Sequence, residues 1–232
     1  MRISNLIVFS VIVLTTSFAF AQTKQVQINF VPTLGKDKIQ LTEIPQVLRS
    51  KDQLQVEVLK YYVANITFRH KGNLVFEEKN SVHLIDAKAV GASTIKVTML
   101  DTIRYDQINF NLGIDSITNV AGALGGDLDP TNGMYWTWQS GYINFKLEGK
   151  SLLSVYKNGE FQLHIGGYLK PANALQPVSL DVNCKQVLNV GFDIGTFINA
   201  IDIATQHHIM SPSPVAVQLA QAAARSFNVI AE

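Results

Sequence analysis

The chain has 232 residues, with 19 lysines and arginines against 18 aspartates and glutamates. Charge this balanced and scattered gives no electrostatic footprint for nucleic acid or for an anionic membrane. With Cys184 as the single cysteine, no internal disulfide can form, and stability must come from core burial.

Arg2 opens the chain, an apolar run over residues 6–13 follows, and Ala19-Phe20-Ala21 matches a small-x-small cleavage pattern. The expectation is a signal peptide over residues 1–21 and a mature start at Gln22. Residues 22–232 would then form one domain, periplasmic or secreted. No cysteine follows the apolar run and no other stretch has spanning length, so no membrane anchor is expected. Cleavage would remove Arg2 and no acid, leaving 18 bases against 18 acids.

Along the mature chain the dominant period is two. Val26, Ile28 and Phe30 alternate as a first strand ahead of Pro32, and residues 41–51 read as a loop or short helical turn. Residues 54–67 are rich in β-formers and predict a bent strand, or two, broken near Ala64-Asn65. Lys71-Gly72-Asn73 is a turn into residues 74–76, and 81–86, 94–99 and 108–114 are further short strands. Residues 142–148 alternate strictly, with Ile143, Phe145 and Leu147 on one face and Tyr142, Asn144, Lys146 and Glu148 on the other. Residues 152–156 and 161–165 flank Lys157-Asn158-Gly159 and predict a hairpin, since Asn-Gly tolerates positive φ. Residues 178–182 and 186–190 predict another pair, with the Cys184 thiol between them expected to be buried and inert. About ten short strands predict a mainly β fold, an antiparallel sandwich or barrel-like single domain.

At the C-terminal end the period changes. Ser211-Pro212-Ser213-Pro214 supplies a capping serine and a first-turn proline, and Val215, Leu219, Ala223 and Phe227 form one row. That predicts a closing amphipathic helix of about four turns.

The residues that carry chemistry centre on 126–149, which holds both tryptophans. Trp136 and Trp138 sit two apart, so in extended chain they point the same way, either as a core plug or as part of a chemical site. His70 lies in a turn. His83 and His164 each sit within a strand, opposite to their apolar neighbours, and His208 and Met210 precede the capped helix. Imidazoles from separate strands with a thioether suit copper, Cu(I) especially, although no local spacing marks a metal motif. The turn from Asp127 to Gly133 is not an EF-hand, because glycine falls at the seventh position and Trp138 at the twelfth. Asp127 and Asp129 remain open as a different calcium site or as an Asx-type turn that aims the tryptophans. No nucleophile elbow, phosphate loop or dinucleotide fingerprint is present, so no enzyme activity is expected.

The run NLGIDSITNVAGALGGDLDPTNGMYWTWQSGYINFKLEG (111–149) resembles the signature region of MbnP-like periplasmic copper-binding proteins. LKYYVANI (59–66), SVHLIDA (81–87), FQLHIGG (161–167) and HIMSPSPVA (208–216) match in family order. The resemblance implies a β-rich secreted fold and a copper site of histidines, here His83, His164 and His208 with Met210. It further implies a tryptophan oxidised to kynurenine by a di-haem cytochrome c peroxidase-like partner, with Trp136 the first choice and Trp138 the second. Some relatives place a histidine ligand near that tryptophan, where this chain has Trp138. The other reading of the same residues is a β-sandwich module that binds a protein or glycan through aromatic loops.

Overall fold

The computed structural model describes residues 22–230 apart from 43, 90–92 and 140, so the expected signal segment lies outside the described residues. The first half of the chain supplies β1 (Thr23–Leu34), β2 (Asp37–Lys38), β3 (Val47–Arg49), β4 (Leu54–His70), β5 (Asn73–Glu77), β6 (Val82–Asp86), β7 (Thr94–Leu100) and β8 (Gln107–Leu112). After α1 (Ser116–Val120) come β9 (Tyr135–Trp136), β10 (Gly141–Lys150), β11 (Glu160–Gly166), β12 (Gln176–Asp181) and β13 (Val187–Asp193). The chain closes with α2 (Ile194–Asn199), β14 (His208–Ile209), α3 (Pro214–Arg225) and β15 (Phe227–Val229).

Two mixed sheets curl into a half-barrel. In the first, β1 lies between β13 and β7, with β15 outside β13. The second is built on β4, whose 17 residues give it two sets of neighbours. Along one edge β10 pairs with its first half and β8 with its second, while β3, β6 and β5 line the other edge. On the first edge β10 gives way to β8 between Tyr61 and Val63. On the other, β6 gives way to β5 around Asn65, where φ is 54° and the register with β8 shifts between Ala64 and Thr67. The predicted break near Ala64-Asn65 is therefore a bulge that bends one continuous strand.

Between the sheets, Phe30, Tyr61, Phe110, Phe145, Phe192, Phe197 and Phe227 form a ring cluster with centroid spacings of 5.1–6.2 Å. Helix α3 lies against β11 and β12. Ser213 caps it by accepting from the Ala216 N–H at 3.1 Å, Pro214 occupies the first turn, and Ala216, Leu219, Ala220 and Ala223 are buried.

Several expectations are corrected. The sheets are not wholly antiparallel, since β13 joins β1 and β14 joins β11 in parallel. Strands β12 and β13 do not pair with each other but lie in different sheets, on β8 and β1. Cys184, in the bend between them, is exposed. Within 41–51, Val47–Arg49 forms a strand on the start of β4. Residues 152–156 are not a strand, because Ser151 and Ser154 turn inward onto backbone partners and fold the connection on itself. The Asn-Gly turn is real, with φ of 57° at Asn158 and 70° at Gly159. Helix α3 stops at Arg225, so Phe227 leaves the helical row and reaches the ring cluster from β15 instead.

Gly149 marks the tightest point of the second sheet. A Cβ there would lie 2.0 Å from the Gln55 carbonyl oxygen and 2.9 Å from the Phe161 ring. Gly149→Ala is expected to destabilise the fold by about 3 kcal/mol, at the upper end for overpacking, read as a lower urea midpoint by circular dichroism.

Candidate functional site

The two faces of the second sheet carry different chemistry. Leu59, Tyr61, Phe145, Leu147, Leu163 and Ile165 face the core. The opposite face carries Lys60, Tyr62, Lys146, Glu148 and His164, set by the alternation of β4, β10 and β11 in register. The excursion between β8 and β10 folds over one end of this outer face. There Tyr62, Ile114, Leu128, Met134, Trp136, Tyr142 and Ile143 make a second, smaller core. The Tyr62 hydroxyl donates to the Asp127 carbonyl at 3.1 Å, and the Tyr142 hydroxyl donates to that of Gly122 at 3.0 Å. Burial pushes both phenols up from their ordinary value.

Asp127 and Asp129 hold this excursion in shape. Asp127 accepts from the Leu84 N–H at 2.9 Å, tying the turn to β6. Asp129 accepts from the Thr131 backbone at 2.8 Å and its hydroxyl at 2.6 Å, which hold its carboxyl below the usual range. Among the described residues no three His, Cys, Asp or Glu side chains gather where they could hold a metal ion. The contacts of Asp129 are those of an Asx turn.

Trp136 is buried and its ring touches Trp138, with centroids 5.9 Å apart, while Trp138 is 65% exposed. Among the described residues the Trp136 Nε1 has no hydrogen-bond partner. The ring lies against Gly166, where a Cβ would stand 2.8 Å from Cζ3 of Trp136 and 2.5 Å from the Tyr142 carbonyl oxygen. Gly166 follows His164 by two residues on β11, so Trp136 sits beside His164 along that strand.

His164 is itself buried, and its Nε2 lies 2.5 Å from Glu148 Oε1. Lys146, directly opposite His164 in the register, brings its ammonium to 3.4 Å from the same oxygen. The hydrogen bond from His164 holds the Glu148 carboxyl below its ordinary value, with the Lys146 charge adding and burial opposing. An ionised carboxylate only accepts, so Nε2 is the nitrogen that donates to Glu148 and Nδ1 is the ring nitrogen turned away from it.

Strand β14 runs beside β11 in parallel, with His208 opposite Gln162. Further on, Pro212 Cβ comes within 2.9 Å of the position a Cβ on Gly167 would take. Met210 lies between these two anchors and so runs alongside β11 near His164. The His208 ring stacks on Tyr156 at 5.1 Å and 15°, and His207 stacks on the same ring at 5.5 Å.

His83 is on the other side. It pairs with Val63 and shares the face of Ile85, so the sheet separates it from His164. Its Nε2 lies 2.8 Å from Glu78 Oε2, the oxygen that also accepts from Ser81 Oγ at 2.5 Å. The carboxylate, not the imidazole, is the middle member, so this cluster fixes a hydroxyl and does not activate it. Of the four ligands read from the sequence, His164 and His208 lie on adjacent strands, Met210 follows directly on the end of β14, and His83 lies on β6 at the other face of the sheet. Glu148, Gly166 and Tyr156 were not singled out as site residues; Glu148 alone carried a signal, as a carboxylate on the polar face of an alternating strand.

A family model described as MbnP matches residues 23–211, which takes in β1 to β14 and stops short of α3 and β15. Among solved structures, MbnP from Methylosinus trichosporium is similar in fold, with 16% identity, a TM-score of 0.58, and coverage of 77% of this chain and 78% of that one. No curated protein matches the chain.

Two outcomes test this geometry. Gly166→Ala is expected to push Trp136 off β11, seen as a red shift and stronger acrylamide quenching of indole emission. Glu78 is held below its ordinary value, the hydrogen bonds from His83 and Ser81 outweighing the opposing effect of burial. A depressed carboxyl stabilises the fold above its unfolded pKa of about 4.3 and loses that contribution as pH falls through the lower folded value. Glu78→Gln should therefore remove one group's share of the stability lost on acidification below about pH 4.3, measured by urea titrations across the acid range.

Proposed function

We propose, from the premise that this chain belongs to the MbnP family, that it is an exported, non-enzymatic protein that handles copper. The family is linked to copper handling, and the observation that carries the reading is the placement of His164 beside the strand that bears His208 and leads into Met210. A centre built on His83, His164 and His208 does not fit this fold, because His83 faces the core side. The donors that fit are the Nδ1 of His164, the exposed imidazole of His208 and the Met210 thioether, a soft set of the kind Cu(I) takes. Bound copper would supply one-electron redox chemistry and a soft, thioether-accepting cation.

The work of the chain's own residues is to orient and to shield. Glu148 takes the Nε2 hydrogen bond of His164 and so leaves Nδ1 as the nitrogen turned away from the carboxylate. Lys146 balances the Glu148 charge and keeps the carboxylate from being a competing ligand. Trp136, seated on Gly166, covers the end of the β11 row and keeps it dry. Among the described residues its Nε1 has no partner to lose, which supports the proposal that Trp136 is the ring a di-haem peroxidase-like partner would oxidise, with exposed Trp138 in contact beside it. The 65% exposure of Trp138 is the one observation that favours the alternative, an interaction module working through aromatic loops.

Native mass spectrometry of the chain purified without chelators and supplied with Cu(I) tests the copper reading. One bound copper is expected, lost in His164→Ala, weakened at least tenfold in Met210→Ala and kept in His83→Ala. A bare mass at saturating copper would refute copper handling and leave the interaction module.

A further inference from the structure

The connection between β10 and β11 has its polarity inside out. It reads Ser151-Leu152-Leu153-Ser154-Val155-Tyr156-Lys157-Asn158-Gly159, and the two serines are buried at 2% and 7% exposure. Leu152, Leu153, Val155 and Tyr156 are 66%, 50%, 77% and 40% exposed. This is not slack chain. Ser151 N–H donates to the Gly159 carbonyl at 2.8 Å, Leu152 N–H to that of Asp52 at 2.8 Å, and Ser154 N–H to that of Ser151 at 3.1 Å. Ser154 Oγ donates to the Glu160 carbonyl at 2.5 Å and accepts from the Tyr156 N–H at 3.2 Å. A tied loop that turns its hydroxyls in and four apolar side chains out presents a contiguous surface suited to an apolar medium.

The rim of this tip is cationic although the whole chain is neutral. Lys150 ends β10, Lys157 follows Tyr156, and Lys51 stands in the turn to which Leu152 is bonded through Asp52. Asp52 is buried and paired with Arg49. Glu160, at the exit and directly opposite Lys150 in the β10–β11 register, has no ion pair among the described residues, so three lysines stand against one carboxylate at the tip. Tyr156, with its ring held by the stack on His207 and His208, has the amphipathic character of side chains that sit at headgroup level.

We infer that this loop is a lipid-surface contact. Leu152, Leu153 and Val155 enter the boundary between headgroups and acyl chains, Tyr156 lies at the headgroup level, and Lys51, Lys150 and Lys157 meet anionic phosphates. The argument is the complementarity of an apolar tip and its cationic collar to an anionic bilayer, and it holds independently of any copper.

The test is co-sedimentation of the full mature chain with vesicles of phosphatidylcholine alone and of equal parts phosphatidylcholine and phosphatidylglycerol. Binding to the anionic vesicles is expected, weakening with salt. Leu152→Ser, Leu153→Ser and Val155→Ser together should abolish it while leaving the thermal melt unchanged, since these side chains are exposed. Lys51→Gln, Lys150→Gln and Lys157→Gln together should weaken it about a hundredfold, three cations at about 1 kcal/mol each. A Val155→Trp reporter should shift its emission to the blue on anionic vesicles. No pelleting with either vesicle, or pelleting that the serine variant keeps, overturns the inference. So does self-association in sedimentation velocity that the serine variant abolishes, which would make the tip an interface between copies of the chain.

Discussion

Tyr61 and Tyr62 are consecutive on β4, so the alternation of an extended strand sends them to opposite faces of the second sheet. Tyr61 enters the main ring cluster, edge-on to Phe227 at 5.4 Å and stacked near Phe145 at 6.2 Å. Tyr62 enters the outer core, edge-on to Tyr142 at 5.8 Å. Both are fully buried. Each ring removes about 150–250 Å² from water, worth about 4–6 kcal/mol. A one-residue slip of β4 would exchange these faces and forfeit both layers, so the register of this strand fixes which side of the sheet becomes core and which becomes site.

Given that register, the outer excursion needs anchors, and two buried asparagines provide them. Asn119 accepts from the Tyr142 N–H at 2.9 Å and donates to the carbonyls of Ile114 and Asp115 at 3.1 and 2.9 Å. Asn144, at the bulge in β10, accepts from the Ile114 N–H at 3.1 Å. Gly113 has φ of 109°, and a Cβ on it would stand 2.3 Å from Asn144 Cγ, so glycine is required for that bond. The excursion from 114 to 139 is thus held at its start by amide side chains and at its end by the β9–β10 pairing. Trp136 is placed on Gly166 as a consequence.

Strand content and bends were legible where the cause is local. The alternation expected over 142–148 holds in β10 from Phe145 to Glu148, and the turn at 71–73 joined β4 to β5. The bulge between Ile143 and Phe145 sends Ile143 into the second core with Tyr142, away from Phe145 and Leu147. What was not legible is pairing over distance. Nothing in the composition of β13 marks it as the parallel neighbour of β1, some 160 residues earlier, in preference to nearby β12. The histidines show the same limit. His83 and His164 have matching local patterns, each opposed to two apolar neighbours. Yet His83 pairs with Val63 and His164 with Lys146, and these partners lie on opposite faces. Face parity is a property of the whole sheet, so no reading of either strand alone could separate them. The serines of the 151–159 connection misled for a different reason, since propensity scores the leucines and valine as strand formers while the hydroxyls close the turn.

The outer face is therefore graded from dry to wet along β11 and β14. At one end Trp136 and the second core exclude water; in the middle Lys146, Glu148 and His164 form a half-buried charged strip; at the other end His208 and Tyr156 are exposed. The Tyr156–His208 stack belongs to both the candidate donor row and the apolar tip at 152–156. A contact that seats Tyr156 in a lipid headgroup layer would bear on His208 as well, because the two rings stack at 15° and 5.1 Å. The proposed donor row and the proposed lipid contact thus share one mechanical element. His164 lies deeper on the same face and is held by Glu148, not by that stack.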